Sequence, residues 1–295
     1  MKAVRSAVLA ALFMGYGAAY AAPYKVSLIT MDQMDRYWAA VDEGAAKAAA
    51  ELGGVEYKWT APDVKDDAKQ IQFIKNEIGE GVNAILLAAN DPDAVTSALE
   101  EAAAAGVKLV YVDSPANFPA AATFTTNNET AGAAAGRELL KALEKAGVTE
   151  GKIGVINVNA ATASTAARER GFRKAFEGMK YTLLETQYGE GDVTRSAMIT
   201  TGLIAQGIVG LFGANEGSSV GVGNAIRNAE CKVLGVGFDA SDALMALIQE
   251  GHLAATMVQN PGVMGYEGMK AAVAALQGKA VSPEPVDTGV SVLTR

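Results

Sequence analysis

The chain has 295 residues, of which 50% are hydrophobic and 20% are charged, which is enough for one large domain or two ordinary ones. Its 33 acidic and 25 basic residues give a formal charge of −8, which argues against binding to nucleic acid or to anionic lipid surfaces. The single cysteine, Cys231, excludes an intrachain disulfide and is expected to be a buried thiol. The chain also has a single histidine, His252. Because zinc sites usually use several histidine or cysteine ligands, no zinc or other metal site is predicted.

The first residues, MKAVRSAVLAALFMGYGAAYAA, have the pattern of a cleavable secretory leader. Two basic residues precede an apolar run at 6–18, and Ala19-Tyr20-Ala21 fits the small-x-small cleavage rule, so we expect export and cleavage after Ala21. The mature chain would then carry 23 basic and 33 acidic residues, a formal charge of −10. A membrane anchor is the alternative, but the apolar run is shorter than the roughly 18 residues that a spanning helix needs. No cysteine stands at the cleavage site, so a lipoprotein anchor is not expected.

After the leader, short apolar runs that are typical of strands alternate with segments that are typical of helices. The strand-like runs in chain order are YKVSLIT, VEYKWT, AILLAA, KLVYVD, KIGVINV, YTLLETQY, IVGLFGA and KVLGVGFD. The helical segments are 36–52, 65–80, 93–105, 129–146, 165–178, 193–206, 217–229 and 241–250. This alternation predicts an α/β fold whose parallel sheets are covered by helices on both faces, because such strands are apolar along their whole length.

The two halves of the chain resemble each other. The run AILLAAND resembles VGLFGANE about 125 residues later, which matches Asn90 with Asn215. In the same way KLVYVD resembles VLGVGFD, which matches Asp113 with Asp239. We therefore predict two similar Rossmann-like lobes with parallel sheets and a ligand cleft between them. The Pro-, Thr- and Asn-rich segment 114–128 suits the connection between the lobes rather than a sheet centre.

Polar and aromatic side chains follow the predicted strands where the strands end. Open parallel sheets bind ligands beyond the carboxyl ends of their strands, so two facing lobes would bring these side chains to the walls of one cleft. The residues at these edges include Asp35, Tyr37, Trp38, Asp113, Ser114, Arg168, Asn215 and Asp239.

These residues also have interpretations that need no ligand. The aspartates and the asparagine could be N-caps of the following helices, the arginine could be exposed on its helix, and the aromatic pair could belong to the core. Together, however, they are the groups that a pyranose or furanose needs. The C–H faces of a sugar pack on aromatic rings, and its vicinal hydroxyls donate to carboxylates and accept from arginine or amides.

Longer motifs carry a family resemblance that covers nearly all of the chain after the leader. In chain order they are DRYWAAVDEGAAKAAAELG, GVKLVYVDSP, NNETAGAAAGREL, TASTAARERGF, LFGANEGSSVGVGNAIR, VGFDAS and GHLAATMVQNPGVMGYEGMKAA. With these motifs in this order, the chain resembles the periplasmic sugar-binding proteins of the ribose/galactose type, the solute-binding receptors of bacterial ABC importers.

The resemblance implies a set of ligand-binding residues. Tyr37 and Trp38 match the aromatics that sandwich the sugar, with Asp35 just before them as a polar contact. The other implied positions are Asp113, Ser114, Arg168, Asn215, Phe238, Asp239 and Gln259. It implies no catalytic residue, no metal and no cofactor.

The chain also departs from the family pattern. Ribose receptors carry Asp-Arg where this chain has Asp113-Ser114, Arg36 stands where proline is usual, and Asp35 replaces an amide. The cleft is therefore expected to be more acidic than a ribose site. This puts ribose itself in doubt and favours another monosaccharide or polyol, or an amino sugar whose ammonium group offsets the carboxylates.

The resemblance further implies discontinuous lobes joined by a three-crossing hinge. The N-terminal lobe would hold 24–126 plus 260–282, and the C-terminal lobe 127–259 plus 283–295. Hinge closure over a small sugar or polyol would be read by an ABC permease in the inner membrane. A periplasmic monomer that does not bind nucleic acid is expected, and a role in chemotaxis or in binding a furanose-like signalling molecule stays open.

Two other classes are less well supported. A secreted α/β hydrolase could use Ser219 of GSSVG with Asp239 and His252, but this serine is predicted to lie inside a helix rather than at a strand-to-helix turn. A transcriptional repressor with the same lobes would need a basic helix-turn-helix before residue 24, where the leader stands.

Overall fold

The computed structural model describes residues 23–230 and 232–295. The predicted leader with its cleavage site and Cys231 lie outside the described residues. None of the helices in the described part of the chain combines the length and hydrophobicity that crossing a membrane requires.

Strands and helices alternate along the chain as predicted. The strands are β1 (Tyr24–Ile29), β2 (Val55–Thr60), β3 (Ala84–Leu87), β4 (Lys108–Val112), β5 (Ala122–Thr125), β6 (Gly151–Asn157), β7 (Tyr181–Leu183), β8 (Gln187–Tyr188), β9 (Ile208–Gly213), β10 (Leu234–Phe238), β11 (Ala255–Gln259), β12 (Val286–Asp287) and β13 (Val290–Thr294). The helices are α1 (Tyr37–Leu52), α2 (Asp67–Gly79), α3 (Thr96–Ala104), α4 (Asn128–Lys145), α5 (Ala163–Ala175), α6 (Val193–Ala205), α7 (Glu216–Ala229), α8 (Asp242–Glu250) and α9 (Pro261–Leu276). The eight helical segments in the sequence prediction all lie within three residues of these bounds.

The first sheet is parallel throughout and has the strand order β12-β5-β4-β3-β1-β2. Both of its faces are covered. In β3, Ala84 and Leu86 pack in the cluster formed with α1 and α9, whereas Ile85 and Leu87 pack in the cluster formed with α2 and α3. Because successive side chains of a strand point to opposite faces, a doubly covered strand must be apolar at every position.

The second sheet has the order β13-β11-β10-β9-β6-β7, with β8 also paired to β6. Its strands are parallel except for β13, which runs antiparallel to β11. Helices α4 and α5 cover one face, and α6, α7 and α8 cover the other. We call the first sheet with α1, α2, α3 and α9 the first lobe, and the second sheet with α4 to α8 the second lobe.

The sequence patterns do not predict β5, β11, β12 or β13. Strand β5 lies inside the segment predicted as a connection, and it joins the first sheet beside the short terminal strand β12 rather than at the centre. Strands β12 and β13 are partly or fully exposed terminal strands, so they lack the continuous apolar run that marks the central strands.

The chain crosses between the lobes three times, and the third crossing corrects the sequence prediction. Residues 283–295 were expected to belong wholly to the second lobe, but β12 pairs with β5 of the first sheet. The crossing therefore lies at 288–289. The three crossing segments contact one another: Thr288 N–H donates to the Thr125 carbonyl at 2.8 Å, and Asn260 Nδ2 donates to the Thr288 carbonyl at 2.7 Å.

Candidate functional site

The loops at the carboxyl ends of both sheets meet around one small cavity of about 20 Å³ between the lobes. This is the arrangement expected for open parallel sheets. The cavity is lined by Met31, Asp35, Tyr37, Trp38, Lys65, Asp113, Val158, Thr162, Ser164, Thr165, Arg168, Asn215, Asp239 and Gln259. Eight of the ten residues predicted from the sequence are in this lining.

The aromatic pair forms part of the first-lobe wall. Helix α1 begins at Tyr37, and Asp35 Oδ1 accepts a hydrogen bond from the Tyr37 N–H at 3.1 Å, which fixes the loop just before the helix. The rings of Tyr37 and Trp38 meet edge to face with centroids 5.0 Å apart. Both rings pack against the core of the first lobe as well as lining the cavity, so the core interpretation and the cleft interpretation describe two sides of the same rings.

The polar atoms of these two aromatics are bound differently. Tyr37 O–H donates to Asp113 Oδ1 at 2.9 Å, and burial together with the negative charge of Asp113 raises the pKa of Tyr37 well above its usual value. Trp38 Nε1–H is buried and has no hydrogen-bond partner within residues 23–230 and 232–295. A buried donor without a partner costs free energy, so a ligand acceptor that bonds to it would strengthen binding.

Asp113 and Asp239 occupy equivalent places after β4 and β10. Both have left-handed backbones, with φ of 61° and 74°. Each N–H donates to the adjacent strand at 2.8 Å, and each carbonyl accepts a threonine hydroxyl, from Thr125 at 2.5 Å and from Thr256 at 2.8 Å. Neither residue caps the helix that follows it, because the N-cap of α4 is Asn127 and the N-cap of α8 is Ser241. The backbone geometry instead directs both carboxylates to the cavity.

Arg168 is buried in the second-lobe wall, not exposed on its helix. Its Nε donates to Asn128 Oδ1 at 2.7 Å, one terminal nitrogen donates to the Ala214 carbonyl at 3.0 Å, and the other donates to Gln259 Oε1 at 2.8 Å. That last nitrogen is also 3.5 Å from Asp113 Oδ1. The guanidinium is therefore held rigidly at the boundary between the two lobes.

Close packing of α4 on α5 places this arginine. A Cβ at Gly132 of α4 would collide with the Arg168 carbonyl, and a Cβ at Gly171 of α5 would collide with the Glu129 carbonyl. Two glycines thus let the helix backbones approach each other, which brings Arg168 within reach of Asn128 on the facing helix.

Asn215 has both of the roles considered for it. Its side-chain oxygen accepts from Ser218 N–H at 3.2 Å and caps α7, while its Nδ2 reaches Asp35 Oδ2 of the first lobe at 3.3 Å. A second contact between the lobes is the hydrogen bond from Thr162 Oγ1 to the Asn90 carbonyl at 2.8 Å. The lobes therefore contact each other around the cavity.

Lys65 is a cavity residue that the sequence reasoning missed. Its Nζ lies 2.5 Å from Asp32 Oδ2 and 3.9 Å from Asp35 Oδ2, and its side chain is only 6% exposed. Burial alone would lower its pKa, but Asp35 and Asp32 more than offset burial, and the pKa is raised. Lys65 lies in the loop that follows β2, so the rule that located the other residues would have found it. It adds a second cation to the predicted single cation, Arg168.

Two predicted residues do not line the cavity. Ser114 is fully buried behind the wall, with its backbone bonded to Val112 and Ala89. The Phe238 ring belongs to the second-lobe core, and the Arg168 guanidinium lies over it at 4.2 Å from the ring centroid. Phe238 therefore packs under the arginine, and its ring is not positioned to stack on a ligand in this cavity.

The serine considered as a hydrolase nucleophile has structural partners. Ser219 lies inside α7 and is fully buried. Its Oγ contacts the Asn215 carbonyl at 2.7 Å and the Gly213 carbonyl at 3.1 Å, and accepts from Phe238 N–H at 2.8 Å. Such a hydroxyl ties α7 to β9 and β10. Within residues 23–230 and 232–295, no group of three or more metal-ligating side chains is placed to hold a metal ion.

Comparison with known proteins finds sugar-binding relatives that match almost the whole chain. Residues 26–280 match the family described as periplasmic binding protein domain. The ribose import binding protein of Haemophilus influenzae is 28% identical over 297 residues, covering 98% of each chain. A carbohydrate transporter solute-binding protein from Agrobacterium radiobacter, in complex with D-arabinose, is 30% identical with a TM-score of 0.89, covering 93% of this chain and 95% of that one.

A further solved structure is an ABC transporter solute-binding protein from Agrobacterium vitis with bound D-fucose. It is 29% identical, has a TM-score of 0.86, and is matched over 92% of this chain and 95% of its own. The members of this family that the chain resembles are sugar-binding transport proteins and not enzymes. The chain belongs to the periplasmic binding protein family, as a sugar-binding receptor of the ribose type.

Proposed function

We propose that this protein is the periplasmic receptor of an ABC importer and binds a monosaccharide or a closely related polyol in the interlobe cavity. The observation that carries the proposal is the enclosed wall in which an aromatic pair faces carboxylates, an arginine and two amides from both lobes. The similar proteins are named for ribose or were solved with D-arabinose or D-fucose, so their ligands vary while the fold stays the same.

The wall supplies what a small polyhydroxylated ring needs. Trp38 and Tyr37 offer ring surface and edges to C–H groups. Asp113 and Asp239 have carboxylate oxygens for hydroxyl donors, and the Trp38 Nε1–H, which has no partner in the described part of the chain, can donate to a ligand acceptor. In a buried cavity these bonds discriminate strongly, because a ligand that fails to match them leaves polar groups unpaired.

Binding at this place would couple to hinge closure. Asp35 and Asp113 belong to the first lobe, and Arg168, Asn215 and Asp239 belong to the second, so one ligand can contact both lobes at once. A ligand that makes contacts available only when the lobes meet favours the closed form by its difference in affinity for the two forms. We propose that an inner-membrane permease reads this closed form.

The remaining parts of the proposal rest on the family to which the chain belongs and on the leader pattern of its first residues. We propose export to the periplasm with cleavage after Ala21, action as a monomer, no cofactor and no catalytic activity. The engaged hydroxyl of Ser219 supports the last point, because three partners hold the atom that a hydrolase would need free.

A thermal-shift screen of the mature chain against neutral monosaccharides and polyols tests the proposal. A ligand that binds only the native protein raises the melting temperature by mass action. Hits are then titrated by fluorescence, because the chain has only two tryptophans. Trp59 donates to Thr30 Oγ1 at 2.9 Å and does not line the cavity, so a Trp59→Phe variant leaves Trp38 as the reporter.

We expect ligand to change Trp38 emission in Trp59→Phe and to leave Trp59 emission unchanged in Trp38→Phe. A panel without any thermal shift, or a ligand that changes neither emission, would contradict binding of a sugar or polyol in this cavity.

A further inference from the structure

Lys65 lies where the two lobes meet. It follows β2 of the first lobe, and its side chain is only 6% exposed. A Cβ built on Gly191 of the second lobe would lie 2.9 Å from Lys65 Nζ and 3.2 Å from Asn215 Nδ2. Lys65 and Asn215 both line the cavity. The ammonium group is therefore enclosed by both lobes and borders the proposed ligand site.

This ammonium group has more hydrogen-bond donors than partners. It has three N–H groups, and its one side-chain hydrogen bond among residues 23–230 and 232–295 goes to Asp32 Oδ2 at 2.5 Å. Asp35 Oδ2 is 3.9 Å away, which is close enough for an ion pair but too far for a hydrogen bond. Burying unpaired donors of a cation costs free energy, and a ligand oxygen in the cavity would supply an acceptor for them.

The ion pair with Asp32 does not by itself explain the buried lysine. Asp32 Oδ1 accepts hydrogen bonds from the N–H groups of Met34 and Asp35, each at 2.7 Å, and these bonds shape the loop before α1. The loop is therefore held without Lys65, and a buried ion pair is weak evidence for a role in stability. Asp32 instead fixes the position of the ammonium group at the cavity.

A second buried donor in the same lining points independently to ligand acceptors. Trp38 Nε1–H has no hydrogen-bond partner in the described part of the chain, and Trp38 is 3% exposed on the cavity wall. At Lys65, one ligand hydroxyl can serve two groups, because it accepts from the ammonium group and donates to the Asp35 carboxylate. Two hydrogen bonds of about 2.8 Å that share this oxygen can span the 3.9 Å between Lys65 Nζ and Asp35 Oδ2.

The second lobe approaches Lys65 with a glycine. Gly191 has a left-handed backbone, with φ of 71°, in the turn between β8 and α6. Its carbonyl packs against α7, where a Cβ at Gly217 would lie 1.8 Å from the Gly191 oxygen. The turn therefore lies between α7 of its own lobe and Lys65 of the other lobe. Glycine is the residue that suits both the left-handed backbone and this close approach.

We propose that Lys65 is a ligand-binding residue whose ammonium group donates to a ligand hydroxyl, and that the same hydroxyl donates to Asp35. Gly191 is the positioning residue that lets the second lobe close over this contact. The inference rests on the proposed function and adds a specificity-determining residue to the site. A monosaccharide or polyol that lacks this hydroxyl leaves the lysine and the aspartate without it in the closed cavity, so it binds more weakly.

Deoxy sugars test the ligand contact by calorimetry. The probes are D-ribose, D-arabinose, D-fucose and any further hit of the thermal-shift screen, each compared with its monodeoxy derivatives. For a sugar that binds, at least one derivative should bind about tenfold or more weakly, the order expected for one charge-assisted hydrogen bond. Lys65→Met should weaken binding of the full sugar about tenfold and bring the affinity ratio of full to deoxy sugar close to one for the hydroxyl at Lys65. The ratios for the other hydroxyls should stay unchanged.

Lys69→Met is the matched control for the lost charge. Lys69 is the next lysine along the chain, and its Nζ likewise pairs with an aspartate, Asp63, at 2.6 Å. It lies outside the cavity lining. This substitution removes one positive charge from the same lobe without reaching the ligand, so every affinity and every ratio should stay unchanged.

Gly191→Ala tests the positioning role, and it also tests the contact if Lys65→Met does not fold because Asp32 loses its cation. The added methyl group crowds Lys65 Nζ when the lobes close, so sugar affinity should fall about tenfold, and the deoxy ratio should shrink for the hydroxyl at Lys65. Gly207→Ala is the matched control, because Gly207 has φ of 75° in the same lobe and no described atom within 4 Å of a built Cβ. It adds the same left-handed strain without touching the first lobe, so binding should stay unchanged.

The outcomes separate this inference from the proposed function. Deoxy ratios that Lys65→Met leaves unchanged would overturn the ligand contact and leave the sugar receptor intact. If that variant does not fold, a loss of affinity in Gly191→Ala that is equal for full and deoxy sugars would overturn the contact instead. Equal affinities of Gly191→Ala and Gly207→Ala would overturn the positioning role. If no sugar or polyol of the screen binds, the proposed function fails and the inference fails with it.

Discussion

Asp113 and Asp239 have the same backbone geometry in the two lobes but different electrostatic surroundings. Asp113 has the Tyr37 hydroxyl at 2.9 Å and an Arg168 nitrogen at 3.5 Å. Among the described residues, the side-chain hydrogen-bond partner of Asp239 is the Gln259 amide at 2.7 Å, and burial raises the pKa of Asp239 to about 7. The repeated lobe architecture thus fixes where each carboxylate lies, but the charge state of each carboxylate depends on the hydrogen-bond donors and cations around it.

Removal of Arg168 should have the largest effect on this comparison. Arg168→Met would leave Asn128, Gln259 and the Ala214 carbonyl without their donor and would remove the cation nearest Asp113. Breaking such a buried charged network typically costs about 3–5 kcal/mol of unfolding free energy. Urea denaturation measures that loss, and ligand binding should be lost with it. A loss below about 1 kcal/mol, the scale of one ordinary hydrogen bond, would mean that the guanidinium is dispensable to both lobes.

Substitution of the two aspartates by asparagine should change the unfolding free energy in opposite directions. A raised carboxyl pKa stabilises the folded protein at low pH, and this contribution is lost as pH rises from about 4 to about 7. The asparagine of Asp239→Asn is neutral at every pH. Without ligand, the unfolding free energy of the variant relative to the parent should therefore rise by about 1 kcal/mol per pH unit in that window. Asp113→Asn removes the charge that faces Arg168 and should instead destabilise by about 1 kcal/mol or more.

Unfolding by urea at several pH values, without ligand, checks both statements. Equal pH dependence of Asp239→Asn and the parent would show that Asp239 is ionised in the folded protein, and it would remove the asymmetry between the lobes.

Loss of the aromatic wall should have an intermediate effect on binding. The first lobe contributes Tyr37 and Trp38 to the cavity, whereas Phe238 of the second lobe lies behind it. Trp38→Ala should weaken ligand binding by about 1–3 kcal/mol, the order expected for a lost aromatic contact. Calorimetry measures the change, with Trp59→Phe as the control outside the cavity. Unchanged affinity would assign both rings to the core alone.

The smallest expected effects come from the threonines that hold the two aspartate carbonyls. Thr125→Val and Thr256→Val each remove one hydrogen bond, to Asp113 and Asp239 respectively. Each should cost about 1 kcal/mol of unfolding free energy. Urea denaturation of each variant measures the loss, and an unfolding free energy equal to that of the parent would show that the threonine hydroxyl does not stabilise the aspartate loop.

Much of the cleft follows from the sequence because the loop after each parallel strand must lie at the same edge of its sheet. That rule and the family motifs place Asp35, Tyr37, Trp38, Arg168 and Gln259 at the cavity, where the structure has them. The same reasoning passed over the loop after β2, which holds Lys65. It placed Glu216 beside Asn215 at this edge without counting it as a ligand-binding residue, because a first-turn glutamate of α7 has an ordinary explanation in the helix dipole.

By itself, the sequence determined the α/β order, the two repeated lobes and the inventory of groups at the cleft, because hydrophobic periodicity and strand ends are local properties. Only the tertiary structure decided that Ser114 and Phe238 turn away from the cavity and that β12 returns to the first sheet. It also decided that Lys65 pairs with Asp32 and that Arg168 pairs with Asp113. Side-chain direction and charge pairing depend on how separate lobes pack across a hinge, and residues distant in the chain meet only there.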